Sequence, residues 1–341
     1  MTETVLVTGG TGFVAGWCIV KLLQRGYAVR TTVRSLSKEP AVRAAVASVT
    51  DAGDALSFFA ADLTRDEGWE AAMAGCDYVL HVASPLGNEG SSDADALIVP
   101  ARDGTLRVLR AANKARVRRV VMTSSCAAAA SRMQGPDSVN DESVWTDAGD
   151  SDLNAYRLSK LFAERAAWEF MAANSATDRL TTILPSAVFG PVLTKDNLGS
   201  VQIIQRMTDG RMPAIPRVGM CIVDVRDLAD LHIRAMLSPA AAGQRFIAAG
   251  DFMWMREIAR TLRSGLGERG KKVPTRNMPD LMLRIIARFV PALKSLIPML
   301  GRRHIYNSAS AQRVLGFSPR AATVTVLDCA RSLETDYSPS A

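Results

Sequence analysis

The stretch TVLVTGGTGFVAGWCIVKLLQRG, residues 4–26, decides the fold. Its first residues are β-rich and end in a cluster of glycines. An apolar run at helical spacing follows, GWCIVKLLQRG, and stops at Gly26. Strand, glycine turn and helix open a βαβ unit, and the alternation continues outward from there. YAVRTTVR (27–34) reads as a second strand, and Pro40 opens a helical segment to about residue 50. ALSFFAADL (55–63) and DYVLHVASP (77–85) read as a third and a fourth strand. A long helix, DALIVPARDGTLRVLRAANKA (95–115), precedes a fifth strand, VRRVVMTSS (117–125). Strands separated by helices of this length give a parallel sheet covered on both faces. The right-handed crossover then fixes most of the topology.

Beyond this region, residues 127–152 are rich in Ser, Asp, Gly and Pro and read as a loop. LNAYRLSKLFAERAAWEFMAAN (153–174) is a strong helix, with Asp152 as its expected N-cap. RLTTILPSAVFGP (179–191) is a sixth strand that runs out at Pro185. MCIVDVRDLADLHIRAML (220–237) reads as a return to the main sheet. The expected class is therefore α/β, a doubly wound parallel sheet of Rossmann type with a smaller, mostly helical C-terminal part. Residues 1–190 with 220–250 would form the larger domain, and 191–219 with 251–341 the smaller.

Composition excludes several other classes. With 48% apolar and 22% charged residues in 341, the chain is too apolar to be disordered and has an ample core. The net charge of +7 is not gathered into a Lys/Arg arm, which argues against nucleic acid and suits a polyanionic small molecule. Cys18, Cys76, Cys126, Cys221 and Cys329 form no CxxC pair and sit in apolar runs, as reduced thiols of a cytoplasmic protein do. His81, His232 and His304 show no ligand spacing, so no metal is expected. Residues 1–8 carry an acid where a secretory leader wants a base. The apolar stretch 281–300 contains Arg284, Arg288, Lys294 and two prolines, which makes it a poor membrane span; amphipathic helices over a core or at a membrane surface fit it better.

The residues that bear chemistry lie where the strands end. Gly9 allows a tight turn, Gly12 close approach of a pyrophosphate, and Ala15 helix–strand contact, with Thr11, Phe13 and Val14 filling the turn. The helix N-terminus adds unpaired N–H groups and positive dipole. At the end of the second strand an NAD site wants a carboxylate. Arg34 stands there instead, with Lys38 nearby, which fits the 2′-phosphate of NADP(H). Asp62 and Leu63 are positioned for the adenine, although Asp62 also suits a helix N-cap. Val82, Ala83 and Ser84 end the fourth strand at the same sheet edge, and His81 beside them reads as a packed core residue.

Tyr156 and Lys160 form YxxxK on one face of a helix, and Ser125 ends the fifth strand. A phenol with a pKa of about 10 is a poor acid–base catalyst at neutral pH. A neighbouring ammonium and the positive oxidised nicotinamide lower that value and make proton exchange efficient. Lys160 is also suited to the nicotinamide ribose, and Ser125 to the substrate carbonyl.

TGGTGFVAG, HVASP, VVMTSSC, YRLSK, LPSAVFGP and IVDVRDLADLH occur in the order and spacing of the extended short-chain dehydrogenase/reductases, which the chain resembles over most of its length. Within them it looks most like the dihydroflavonol reductase, cinnamoyl-CoA reductase and yeast methylglyoxal/aldehyde reductase group. The resemblance implies that the larger domain is a Rossmann domain binding NADPH and the smaller a substrate domain, with Ser125, Tyr156 and Lys160 as the catalytic set and Thr123, Pro185 and Val188 at the nicotinamide end. Where plant dihydroflavonol reductases carry an asparagine for flavonoid hydroxyls, this chain has Ala130. The cinnamoyl-CoA reductase signature is reduced to NAYRLSK, which keeps Asn154. A small or medium aldehyde or ketone is the expected substrate, for a monomer or homodimer. The rival readings are a nucleotide-sugar epimerase or dehydratase, a 3β-hydroxysteroid-type dehydrogenase, and a non-catalytic NADP-binding sensor.

Overall fold

The computed structural model describes residues 2–85, 94–132, 135–196 and 198–334. Strand and helix alternate through the first half: β1 (Thr4–Val7), α1 (Phe13–Leu23), β2 (Ala28–Val33), α2 (Glu39–Ala47), β3 (Leu56–Ala60), α3 (Trp69–Met73), β4 (Tyr78–His81), α4 (Asp95–Lys114) and β5 (Arg119–Thr123). Then come β6 (Ser138–Asn140), α5 (Ala155–Ala173), β7 (Leu180–Pro185), β8 (Ala187–Phe189), α6 (Gln202–Thr208), β9 (Gly219–Asp224), α7 (Val225–Leu237) and β10 (Arg245–Ala248). The chain closes with β11 (Phe252–Trp254), α8 (Met255–Gly265), α9 (Asp280–Ile286), β12 (His304–Tyr306), α10 (Ala309–Leu315) and α11 (Ala322–Ser332).

Seven strands form one parallel sheet in the order β10-β7-β5-β4-β1-β2-β3. Its central strands are apolar on both faces because helices cover both. On one face α1 and α7 pack together, and Ile19, Leu22, Leu228 and Leu231 share a core with Val5, Val7 and Leu80. On the other face α4 and α5 pack over Leu6, Val79 and Val120. The chain leaves β1 toward β2 on one side, while β4 lies on the other. The loops after β1 and β4 therefore diverge and leave a crevice at the strand ends.

A second apolar cluster lies beyond this sheet. Phe189, Ile204, Val218, Ile222, Ile258, Leu262, Leu283 and Val326 form its centre. The segment expected to rejoin the main sheet does not do so. β9 pairs with β8 and β11 in a separate three-stranded sheet, and the seventh strand of the main sheet is β10. The return to the first half is made by helix α7 rather than by the strand before it. The expected loop 127–152 also contains β6, which pairs with the distant β12. Trp17 ties the two clusters together, its Nε1 donating to the Pro191 carbonyl at 2.7 Å.

Candidate active site

The turn between β1 and α1 is built for close approach. Gly9 sits at φ +77°, and a Cβ there would lie 3.0 Å from the Cβ of Ala83. Gly12, in extended conformation, N-caps α1. No side chain caps it, and no acid stands in the first turn. The free N–H groups and the positive end of the helix dipole are thus left for an anionic ligand. Ala15 is buried against the sheet, while Thr11, Phe13 and Val14 are half-buried around the turn. Thr8 ties this turn to the end of β4, its Oγ1 accepting from the amides of Val82 (3.0 Å) and Ala83 (2.9 Å). Val82 and Ala83 therefore have carbonyl oxygen and apolar surface, rather than amide hydrogens, to offer a cofactor. Ser84 is half-buried beside them.

Arg34 follows directly on β2 and is exposed, as is Lys38 four residues on. Asp62 does not cap a helix: α3 begins at Trp69, with Gly68 at its N-cap. The Asp62 carboxylate instead accepts from the amide (2.8 Å) and hydroxyl (2.9 Å) of Thr64. Chiefly for that backbone hydrogen bond, it is held below the usual carboxylate range, with Arg34 adding to the effect. Leu63 is half-buried, and its carbonyl accepts from Arg107.

Three consecutive residues at the end of β5 have separate tasks. The Thr123 hydroxyl lies 2.7 Å from His232 Nε2. The other ring nitrogen of His232 faces the Leu228 carbonyl at 2.8 Å, so that nitrogen carries the proton and Thr123 donates to Nε2. Ser124 donates to Glu164 at 2.6 Å. Ser125, 8% exposed, caps the short Cys126–Ala128 turn by accepting from the Ala127 amide at 3.1 Å, which leaves its own hydrogen to donate elsewhere. Helix α5 packs against that turn. Its N-cap is Asn154, accepting from the Arg157 amide at 2.9 Å, and not Asp152, which lies outside the first turn.

Tyr156 thus stands in the first turn of α5 and is 38% exposed, while Lys160 one turn later is buried. The Lys160 ammonium lies 5.9 Å from the centroid of the Tyr156 ring. Burial lowers the Lys160 pKa to about 8, opposed by the Glu164 charge. His81 is buried with a pKa of about 3, first because of burial and second because of nearby Lys160. Lys160 is thus within electrostatic reach of His81 at the end of β4. Pro185 is buried at the end of β7, and Val188 is half-buried in β8. Ala130 is buried, with its amide given to Thr146 Oγ1 at 2.9 Å.

Sequence reasoning missed Glu164. It is fully buried and accepts from Ser124, Thr182 (2.8 Å) and Arg245 (2.8 Å). Arg245 in turn stacks 3.7 Å from the Trp145 ring. The signal was present as YxxxKxxxE, an acid one further turn along an otherwise apolar face. The partners that explain it come from β5, β7 and β10 and are invisible to spacing.

Residues 5–249 match the family model for the NAD dependent epimerase/dehydratase family. The chain belongs to this family, the extended short-chain dehydrogenase/reductases. Among its relatives, the anthocyanidin reductase ((2S)-flavan-3-ol-forming) of Vitis vinifera is 34% identical over 80% of this chain and 83% of its own. A cinnamoyl-CoA reductase of Medicago truncatula is 36% identical over 76% of this chain and 80% of its own. The Gre2 protein of Candida albicans, solved in complex with NADPH, superposes with a TM-score of 0.80 at 26% identity, covering 98% of this chain and 99% of that one. The glycine turn, the strand order and the Tyr–Lys helix of this family member agree with the expected class.

Proposed function

We propose that this NADP-dependent oxidoreductase reduces a small or medium aldehyde or ketone to the alcohol, with Tyr156 giving the proton to the carbonyl oxygen. The observation that carries the proposal is the buried Lys160 beside the Tyr156 ring at the mouth of the crevice. The residues present suit the cofactor: an uncapped helix N-terminus for the pyrophosphate and Arg34 and Lys38, with no acid at the strand end, for a 2′-phosphate. Asp62 and Leu63 would face the adenine, and Thr123, Pro185 and Val188 the nicotinamide end. When bound, NADPH supplies the hydride.

The residues divide the remaining work. The Ser125 hydroxyl, with its hydrogen unspent, holds the carbonyl oxygen and polarises it. Tyr156, partly exposed, delivers its proton to that oxygen. Lys160 keeps the resulting phenolate stable and its own ammonium near the ribose. Its pKa of about 8 leaves it largely protonated at neutral pH. Glu164 holds Ser124 next to the reacting serine and supports the Lys160 charge. The seven-stranded half would carry the cofactor and the second cluster the substrate.

The absence of a carboxylate at residue 34 speaks against a tightly held NAD, and hence against an epimerase or dehydratase. The intact Ser, Tyr and Lys set speaks against a sensor. NADPH oxidation measured with a panel of aldehydes and ketones, beside Tyr156→Phe, tests the reading. Turnover by the native protein and its loss in the variant are expected. NADPH binding with no turnover on any carbonyl, or purification with NAD retained, overturns it.

A further inference from the structure

Helix α9 and the turn after it carry two apolar stripes, and the core uses one of them. Leu283 and Ala287, one helical turn apart, are buried. Leu281, Met282, Ile285 and Phe289 are 70%, 51%, 51% and 81% exposed. The amides of Ala287, Arg288, Phe289 and Val290 bond back to Leu283, Ile285 and Ile286, so helical winding continues past the last residue of α9. The spacing then keeps the four exposed side chains on one flank. Phe289 is four-fifths exposed.

The charge around this flank is equally lopsided. Residues 269–303 hold nine Lys and Arg and one acid, Asp280, and two of the nine, Arg269 and Lys271, pair with Glu334 and Glu268 outside this segment. That surplus of eight exceeds the +7 of the whole chain, so the remainder is close to neutral. Asp280 is committed to Arg217 at 2.5 Å. Arg284, Arg288 and Lys294 are exposed and have no acidic partner among the described residues.

We propose that this flank docks on an anionic lipid membrane, with the apolar stripe entering the headgroup–acyl boundary and the basic side chains meeting lipid phosphates. Apolar side chains of this exposure call for a cover. A second copy of the chain is a poor one, because a two-fold contact through this face would oppose two like-charged surfaces. An anionic bilayer supplies both an apolar interior and the opposite charge. The contact is peripheral, since no helix among the described residues is long and apolar enough to cross a membrane.

Co-sedimentation of the full chain with phosphatidylcholine vesicles, with and without phosphatidylserine, tests the proposal independently of the reduction chemistry. The expected result is binding to the anionic vesicles that is at least about tenfold tighter than to neutral ones and weakens with added salt. Ile285→Ser/Phe289→Ser removes binding, and Arg284→Glu/Arg288→Glu lowers it by roughly tenfold or more. Unchanged thermal melting of both double variants shows that they fold. Failure to bind anionic vesicles, or equal binding to both kinds, overturns the proposal. So does a concentration-dependent dimer in sedimentation equilibrium that Ile285→Ser/Phe289→Ser dissolves.

Discussion

In the seven-stranded sheet β1–β2, β2–β3 and β4–β5 pair one helix apart in sequence and β1–β4 three helices apart, and the loops at their ends form the crevice. The second apolar cluster draws on β8 and β9, α6, α8, α9 and α11, segments as far apart as residues 189 and 326. The first half is thus organised by local repetition and the second by long-range apolar packing. The half organised by repetition carries the glycine turn and the helix of Tyr156 and Lys160. The other half carries the exposed apolar flank and the surplus positive charge.

Substitutions sharpen this contrast. Tyr156→Phe removes only a hydroxyl at the crevice. It is expected to lower turnover by roughly a thousandfold while leaving NADPH affinity nearly unchanged, measured by stopped-flow reduction and fluorescence titration. A comparable loss of cofactor binding would mean that the tyrosine is structural. Arg34→Glu is next: KM for NADPH should rise about a hundredfold, with little change for NADH. An equal rise for both would break the assignment of the second strand's end to a phosphate. In the other half, Leu283→Ala opens a hole in the packed cluster. Chemical denaturation should show a loss of about 2–4 kcal/mol, with chemistry at Tyr156 intact in the folded fraction. If turnover collapsed while stability held, the two halves would not be separable.

The smallest effects are in pH. Lys160 has a folded pKa of about 8 against an ordinary 10.5, so the folded state releases this proton first. Stability from this group therefore rises with pH between those values, and the share of protonated ammonium falls above about 8. Reduction should decline along the same limb. Glu164→Gln removes the charge that raises this pKa and should move the limb to lower pH in a kcat profile. An unmoved limb would leave Glu164 a purely structural acid. His81 and His232, buried and neutral with values of about 3 and about 4, act in the same sense in a lower pH window. Stability from them is present above the ordinary histidine value of 6.5 and is lost as pH falls below it, which a melting series reads.

Much of the crevice was legible because it depends on backbone. Gly9 and Gly12 announce their turn by the side chains they lack, and strand ends follow from the alternation. The YxxxK pair shares a face through helix geometry alone. The helix caps show where local spacing is ambiguous. Asn154 provides the cap expected of Asp152, and Asp62, expected at the adenine with a helix cap as its alternative, closes a turn on Thr64 rather than capping a helix. Each acid suits both roles, and a difference of a few residues in helix start decides between them.

By itself, then, the sequence determined the α/β alternation, the glycine turn, the basic end of the second strand and the spacing of Tyr156 and Lys160, since all are local consequences of chain geometry. Only the tertiary structure decided that β9 leaves the main sheet for a small one and that Glu164 meets Ser124, Thr182 and Arg245. It also decided which of two apolar stripes on α9 is buried. Those outcomes depend on which distant surfaces meet, and burial is a property of the partner as much as of the residue.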